Sequence, residues 1–175
     1  LHEVAKKAGV IEALKQCFPE HYEQLIQLAY YLVMAPTNSM QQFESWAKGH
    51  YLPYDSAGKL TSQRISDLFK HIDEDGIQRF FDLRMNQTKA KEFLYYDTTS
   101  ISSYSKTLSY AQYGYNKEDD KLPQINLGVV FSETTRLPIM YRYLSGNIPD
   151  NKTVPWLLSL LENFSKETIQ LVMDR

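Results

Sequence analysis

The chain has 175 residues beginning at Leu1, a length that fits one domain or one domain with a helical extension. Hydrophobic residues make up 43% and charged residues 23%, a globular balance that excludes wholesale disorder. The apolar runs are too short for a spanning helix, and a net charge of −2 means that any DNA binding must come from a local basic face or from parts beyond these residues.

Cys17 is the single cysteine, which excludes an internal disulfide framework and a thiolate metal cluster. A reducing, cytoplasmic setting is the expectation, since no basic-then-apolar leader stands at the start. The first third reads as helical. Val4, Ala8, Ile11 and Leu14 recur at helical spacing up to Cys17 and Phe18. Pro19 fits the start of a second helix with Tyr22, Leu25, Ile26, Leu28, Ala29, Leu32 and Val33 as apolar positions, ended by Pro36 and Asn38. A third short helix is predicted over Ser39 to Lys48, and His50 to Lys59 reads as a loop. Thr61 or Ser62 can cap a fourth helix through Ile65, Leu68, Phe69 and Ile72. Asp75-Gly76 is predicted to break it, with helix resuming from Ile77 to Met85.

At Phe93 the period changes. Phe93 to Tyr96 is a short apolar run, and Asp97 to Ile101 continues it as a buried strand that turns polar in its C-terminal half. Lys106 to Lys121 is polar, Tyr-rich and predicted irregular. Gln124 to Phe131 and Leu137 to Leu144 read as two strands, and their short link predicts an antiparallel hairpin. Thr153 can cap a helix whose first turn tolerates Pro155, with Trp156, Leu157, Leu160, Leu161 and Phe164 on its apolar face. Thr168 to Met173 reads as a fourth strand. The predicted fold is therefore α/β, with a helical region over 1–92 and a β-β-β-α-β segment over 93–175. A helix between the third and fourth strands allows a parallel crossover. The arrangement matches the first half of an RNase H-like mixed sheet, with the final helix missing.

Two acids stand out by position. Asp97 directly follows Phe93 to Tyr96, and Asp174 directly follows Ile169 to Met173. On adjacent parallel strands the two backbones would run about 4.8 Å apart. Carboxylates that close repel and raise each other's pKa unless a cation lies between them. Mg²⁺ or Mn²⁺ suits a few carboxylates plus water. Two such ions can activate an attacking oxygen and stabilise a leaving one, the machinery for cleaving and joining phosphodiesters. An Asp at a strand end also serves as a turn or capping residue, and position alone leaves both readings open.

The segment Tyr95-Tyr96-Asp97-Thr98-Thr99-Ser100 resembles the first-acid motif of DDE transposases from bacterial insertion sequences, the large group with an inserted β-rich domain. Asn116 to Ile125 resembles the polar stretch leading into that family's second strand. Leu137-Pro138-Ile139, with Gly146-Asn147 and Asp150, resembles its third strand and the following Gly-Asn-x-x-Asp loop. Leu171-Val172-Met173-Asp174-Arg175 resembles its second-acid motif. The resemblance covers Phe93 to Arg175, about half the chain; residues 1–92 match only as the helical region before the catalytic domain. It implies hydrolytic nicking at element ends followed by strand transfer into target DNA, with two Mg²⁺ or Mn²⁺ ions in the complete site. Asp97 and Asp174 carry over as the first two metal-binding acids. The third, a Glu on a later helix, has no counterpart within 1–175, so the implied entity is an incomplete catalytic core that binds metal weakly and cleaves nothing alone. The implied partner is DNA, without a membrane, and the implied full-length assembly is a homodimer or higher. A non-catalytic DNA- or protein-binding remnant and a host nuclease of the same fold are the competing readings.

Other signals point elsewhere. His71 to Asp82 has acids at calcium-loop positions 3, 5 and 12 and Gly76 at position 6, but His71 stands first and Gln78 eighth, so a helix end with a Gly stop is expected. His2, His21, His50 and His71 show no close pairing in sequence, so no zinc site is expected. A nucleophilic Ser near Asp97 would need a His base, and none follows His71. Tyr104, Tyr110, Tyr113 and Tyr115, near Lys106 and Lys117, are expected to pack on the sheet with wet hydroxyls, base stacking at a DNA end being the alternative. Thr61 to Ile72 carries only Arg64 and Lys70 as cationic residues, thin for a DNA recognition helix.

Overall fold

The computed structural model describes residues 1–35, 39–55, 60–87, 93–114, 121–149, 152–162 and 170–173. Its contacts divide the chain into two units, Leu1–Leu83 and Arg84–Arg175. Among the described residues there are seven α-helices and one four-stranded mixed sheet.

The first unit opens on α1 (His2–Lys7) and α2 (Val10–Cys17). The sequence predicts one helix here. Gly9 instead adopts φ 69°, a left-handed conformation that only glycine enters without a Cβ penalty, and the axis turns there. The apolar pattern runs through the break undisturbed, which is why periodicity does not reveal it. Helix α3 (Tyr22–Met34) ends at Ala35, in extended backbone; Pro36 and Asn38, the predicted stop, lie outside the described residues. A single 3₁₀ turn, Met40–Gln42, leads into α4 (Phe43–Lys48), so the predicted third helix forms in two pieces.

Helix α5 (Ser62–Lys70) is capped by Thr61, whose Oγ1 accepts from the Arg64 N–H at 3.3 Å. Thr61→Ala removes that acceptor and is expected to cost about 1 kcal/mol, read as a lower urea midpoint in the helical circular-dichroism signal. The following boundary differs from the prediction. Helix α6 (Glu74–Asn86) contains Asp75 and Gly76, and the break falls earlier, at His71 to Asp73. The Asp73 carboxylate accepts from the Gly76 N–H at 2.7 Å, so this acid starts a helix and does not belong to a Gly-terminated helix end. Gly76 is required by packing: a Cβ there would come 2.6 Å from Phe18 Cζ.

The core of this unit joins Leu28 and Tyr31 of α3, Phe43 and Ala47 of α4, Leu60, and Ile65 and Leu68 of α5. Tyr31 is buried, and its hydroxyl donates to the Ser39 carbonyl at 2.6 Å. That bond offsets the cost of burying a phenol. Trp46 sets its ring edge-on to Tyr31, with centroids 5.2 Å apart.

The second unit is built on β1 (Phe93–Ser102), β2 (Gln124–Ser132), β3 (Pro138–Ser145) and β4 (Gln170–Met173), with α7 (Val154–Glu162) between β3 and β4. The strand order is β3-β2-β1-β4. β2–β3 pair antiparallel, as the short link predicts, β1–β2 also pair antiparallel, and β1–β4 pair parallel, as the crossover predicts. The parallel pair requires a crossover, and α7 lies within that connection. In the β2–β3 hairpin Arg136 takes φ 56°, and its N–H donates to the Ser132 carbonyl at 2.9 Å, closing the turn.

One face of the sheet is a core. Leu94, Tyr96, Val130, Met140 and Leu144 are buried, as is Leu157 of α7. Tyr96 donates its hydroxyl to Thr153 Oγ1 at 2.9 Å, tying the middle of β1 to the residue before α7. Its ring lies over Gly128, where an added Cβ would stand 2.6 Å from the phenol oxygen, so this position excludes a side chain.

Candidate functional site

Strand alternation places Asp97. Along β1, Leu94 and Tyr96 are buried and Thr98, Ser100 and Ser102 half-buried, whereas Phe93, Tyr95, Asp97, Thr99 and Ile101 are exposed on the opposite face. The register sets Asp97 opposite Val129 of β2, and Val129 opposite Tyr141 of β3, so the three form one row across the sheet. Thr99, Leu127 and Tyr143 form the next row. Phe131, Tyr95 and Val172 form another on the same face, and all three are exposed.

Asp97 is therefore an exposed carboxylate on a strand whose other face buries Leu94 and Tyr96. Its Oδ1 accepts from the Thr98 N–H at 2.8 Å. Among the described residues, no Lys or Arg lies within ion-pair distance of it. An exposed oxygen donor of this kind suits a hard divalent cation. Asp174, the second predicted acid, lies outside the described residues. The strand before it is described: β4 pairs with β1 in parallel, with Tyr95 opposite Val172 and Tyr96 opposite Met173. Tyr96 and Met173 are the immediate sequence predecessors of Asp97 and Asp174. Among the described residues, no group of three His, Cys, Asp or Glu is positioned to hold a metal ion.

The Ser100 hydroxyl, on β1 beyond Asp97, has a structural partner. Ser100 Oγ donates to Asn126 Oδ1 at 3.1 Å, and Asn126 Nδ2 donates to the Ile148 carbonyl at 3.1 Å. Cys17 is buried, and burial pushes its pKa up, which disfavours the thiolate.

One expectation is corrected. Tyr104, Tyr110 and Tyr113 do not pack on the sheet: they are 86%, 54% and 71% exposed. They belong to a loop stitched by local bonds, with Ser103 Oγ accepting from the Ser105 N–H and Ser105 Oγ from the Thr107 N–H. Tyr104 and Tyr113 line a cleft of about 470 Å³ there, together with Lys106 and Pro123. Tyr115 lies outside the described residues. His21 and His71, unpaired in sequence, have ring centroids 5.3 Å apart. Helix packing brings them together, and spacing in the sequence carries no sign of it.

No family model matches the chain, nor does any curated protein or solved structure. No described helix is long and apolar enough to cross a membrane.

Proposed function

We propose that this chain contributes the first part of an RNase H-like catalytic domain in a DDE transposase, with Asp97 and Asp174 as its first two metal-binding acids. The observation that carries the reading is the parallel β1–β4 pairing that sets Tyr96 opposite Met173, one residue before each acid. The order β3-β2-β1-β4, with a helix in the β3–β4 connection, supports it, because that is the topology expected of such a half-sheet. The exposed carboxylate of Asp97, on the face opposite the core, supports it further. Mg²⁺ or Mn²⁺ bound between the two acids would polarise the phosphodiester and activate the attacking oxygen. The partner is then DNA, at the element ends and at the target, and a third carboxylate completes the metal set.

The test uses the chain itself and the spin of Mn²⁺. In ¹⁵N–¹H spectra, sub-stoichiometric Mn²⁺ is expected to broaden the amides of Tyr96, Asp97, Thr98 and Met173 first, and Asp97→Asn is expected to abolish that selectivity. Broadening confined to other parts of the chain, with these four amides unaffected, would refute the proposed site.

A further inference from the structure

His21 stands at the N-cap position of α3 and His71 at the C-cap position of α5, and the two imidazoles, remote in sequence, meet on the helical unit. They line a cleft of about 440 Å³ together with Gln24, Asp55, Arg64 and Asp67. Each ring already uses one nitrogen. His71 Nδ1 lies 2.8 Å from the Asp67 carbonyl oxygen, and His21 Nδ1 lies 3.3 Å from Gln24 Oε1. The Asp67 carbonyl oxygen only accepts, so His71 Nδ1 donates to it, and Gln24 Oε1 suits the same tautomer of His21; that tautomer leaves an Nε2 lone pair on each ring. A backbone or side-chain oxygen on the far nitrogen is the arrangement that orients metal-ligating histidines.

The ring separation agrees with a shared ion. A zinc–nitrogen bond is about 2.0–2.1 Å, and the imidazole centroid lies about 1.2 Å farther on, so two imidazoles at a tetrahedral angle have centroids about 5.2 Å apart. The observed separation is 5.3 Å, with the rings tilted by 50°.

We propose that His21 and His71 form a two-histidine site for a borderline divalent cation of the zinc class, bound through Nε2 of both rings with water in the remaining positions. Because no third protein ligand is in place among the described residues, the site is open and weaker than a closed four-ligand structural site. Asp55 and Asp67 on the cleft wall favour a cation and Arg64 opposes it. The ion would tie the start of α3 to the end of α5, and binding to the folded state alone raises stability with metal concentration. These residues are separate from the acids of the proposed transposase site, so either proposal can fail without the other.

The experiment titrates the chain with ZnCl₂ by calorimetry and follows thermal unfolding in parallel. One ion per chain and a melting temperature that climbs with Zn²⁺ are expected. His21→Ala and His71→Ala are each expected to weaken binding about tenfold or more, while a His2→Ala/His50→Ala protein keeps wild-type affinity. His71 is exposed and His21 half-buried, so both single variants retain the fold, which far-ultraviolet circular dichroism checks. Unchanged Zn²⁺ affinity in the two single variants, a loss confined to the His2/His50 protein, or no binding at millimolar Zn²⁺ would each overturn the proposal.

Discussion

On the transposase function proposed above, Asp97→Asn in the full-length enzyme is expected to reduce DNA cleavage about a thousandfold or more. A divalent ion contributes several kcal/mol of charge stabilisation in the transition state, and about 4 kcal/mol corresponds to that factor. The amide keeps the shape and one acceptor oxygen, so the bond from the Thr98 N–H can persist. The side chain is exposed, and the folded state should lose less than about 1 kcal/mol. Activity and stability therefore separate: a nicking assay on a supercoiled substrate reads the first, and urea denaturation the second. Full cleavage by the Asn variant would remove Asp97 from the metal set. A variant that loses both activity and fold would assign Asp97 a structural role.

The largest expected effect on stability belongs to Gly146→Ala. Gly146 follows β3 directly, and its N–H donates to the Tyr110 carbonyl at 3.1 Å while its own carbonyl accepts from Gln124 Nε2 at 3.1 Å. A Cβ at this position would run into the backbone oxygens of Gln124 and Gln112 and come 2.7 Å from Gln124 Cγ. Those oxygens are fixed by a reciprocal pair, Gln112 N–H to Gln124 O at 3.0 Å and Gln124 N–H to Gln112 O at 2.9 Å. A flexible side chain could step aside, but a backbone bridge moves only by breaking both bonds. Overpacking ordinarily costs about 1–3 kcal/mol, and the upper end, about 3 kcal/mol, is expected here. A drop of that size in unfolding free energy, with Thr61→Ala as the mild comparison, checks it. An unchanged urea midpoint would mean that the loop and the start of β2 are not held together as described.

The strands were legible because their signals are local. Apolar runs bounded by Pro, Gly and hydroxyl residues mark β1 to β3, and the short Ser132 to Pro138 link reads as a hairpin. The parallel position of β4 followed from the helix that precedes it, through a connection rule and not through any residue of β4 itself. Where the reading slipped, one residue outweighed the pattern. Gly9 turns the chain inside an unbroken apolar stripe. Asp73 opens α6 before the Asp75-Gly76 pair that looks like a stop. The exposure of Asp97 was not read from the sequence: four apolar residues in a row suggest a strand buried on both faces, whereas only Leu94 and Tyr96 enter the core and Phe93, Tyr95 and Asp97 stay outside. The meeting of His21 with His71 was not legible either, because it depends on how α3 packs beside α5, which neither segment encodes by itself. The exposed tyrosines of the 103–114 loop were misread for a related reason: an aromatic ring is ordinarily placed by the surface beneath it, and this loop folds upon its own hydroxyl groups.

The hydroxyl that joins Tyr96 to Thr153 has a consequence for how β1 can vary. Neighbouring residues in a strand point to opposite sides, so anchoring Tyr96 inward commits Asp97 to the outside. Insertion or deletion of one residue between Phe93 and Tyr96 would invert the odd–even parity of whatever lies beyond it, driving a carboxylate toward the hydrocarbon side and a phenol into water. Changes in that stretch are therefore tolerated in steps of two, and the frame that satisfies the interior is the same frame that delivers the acid.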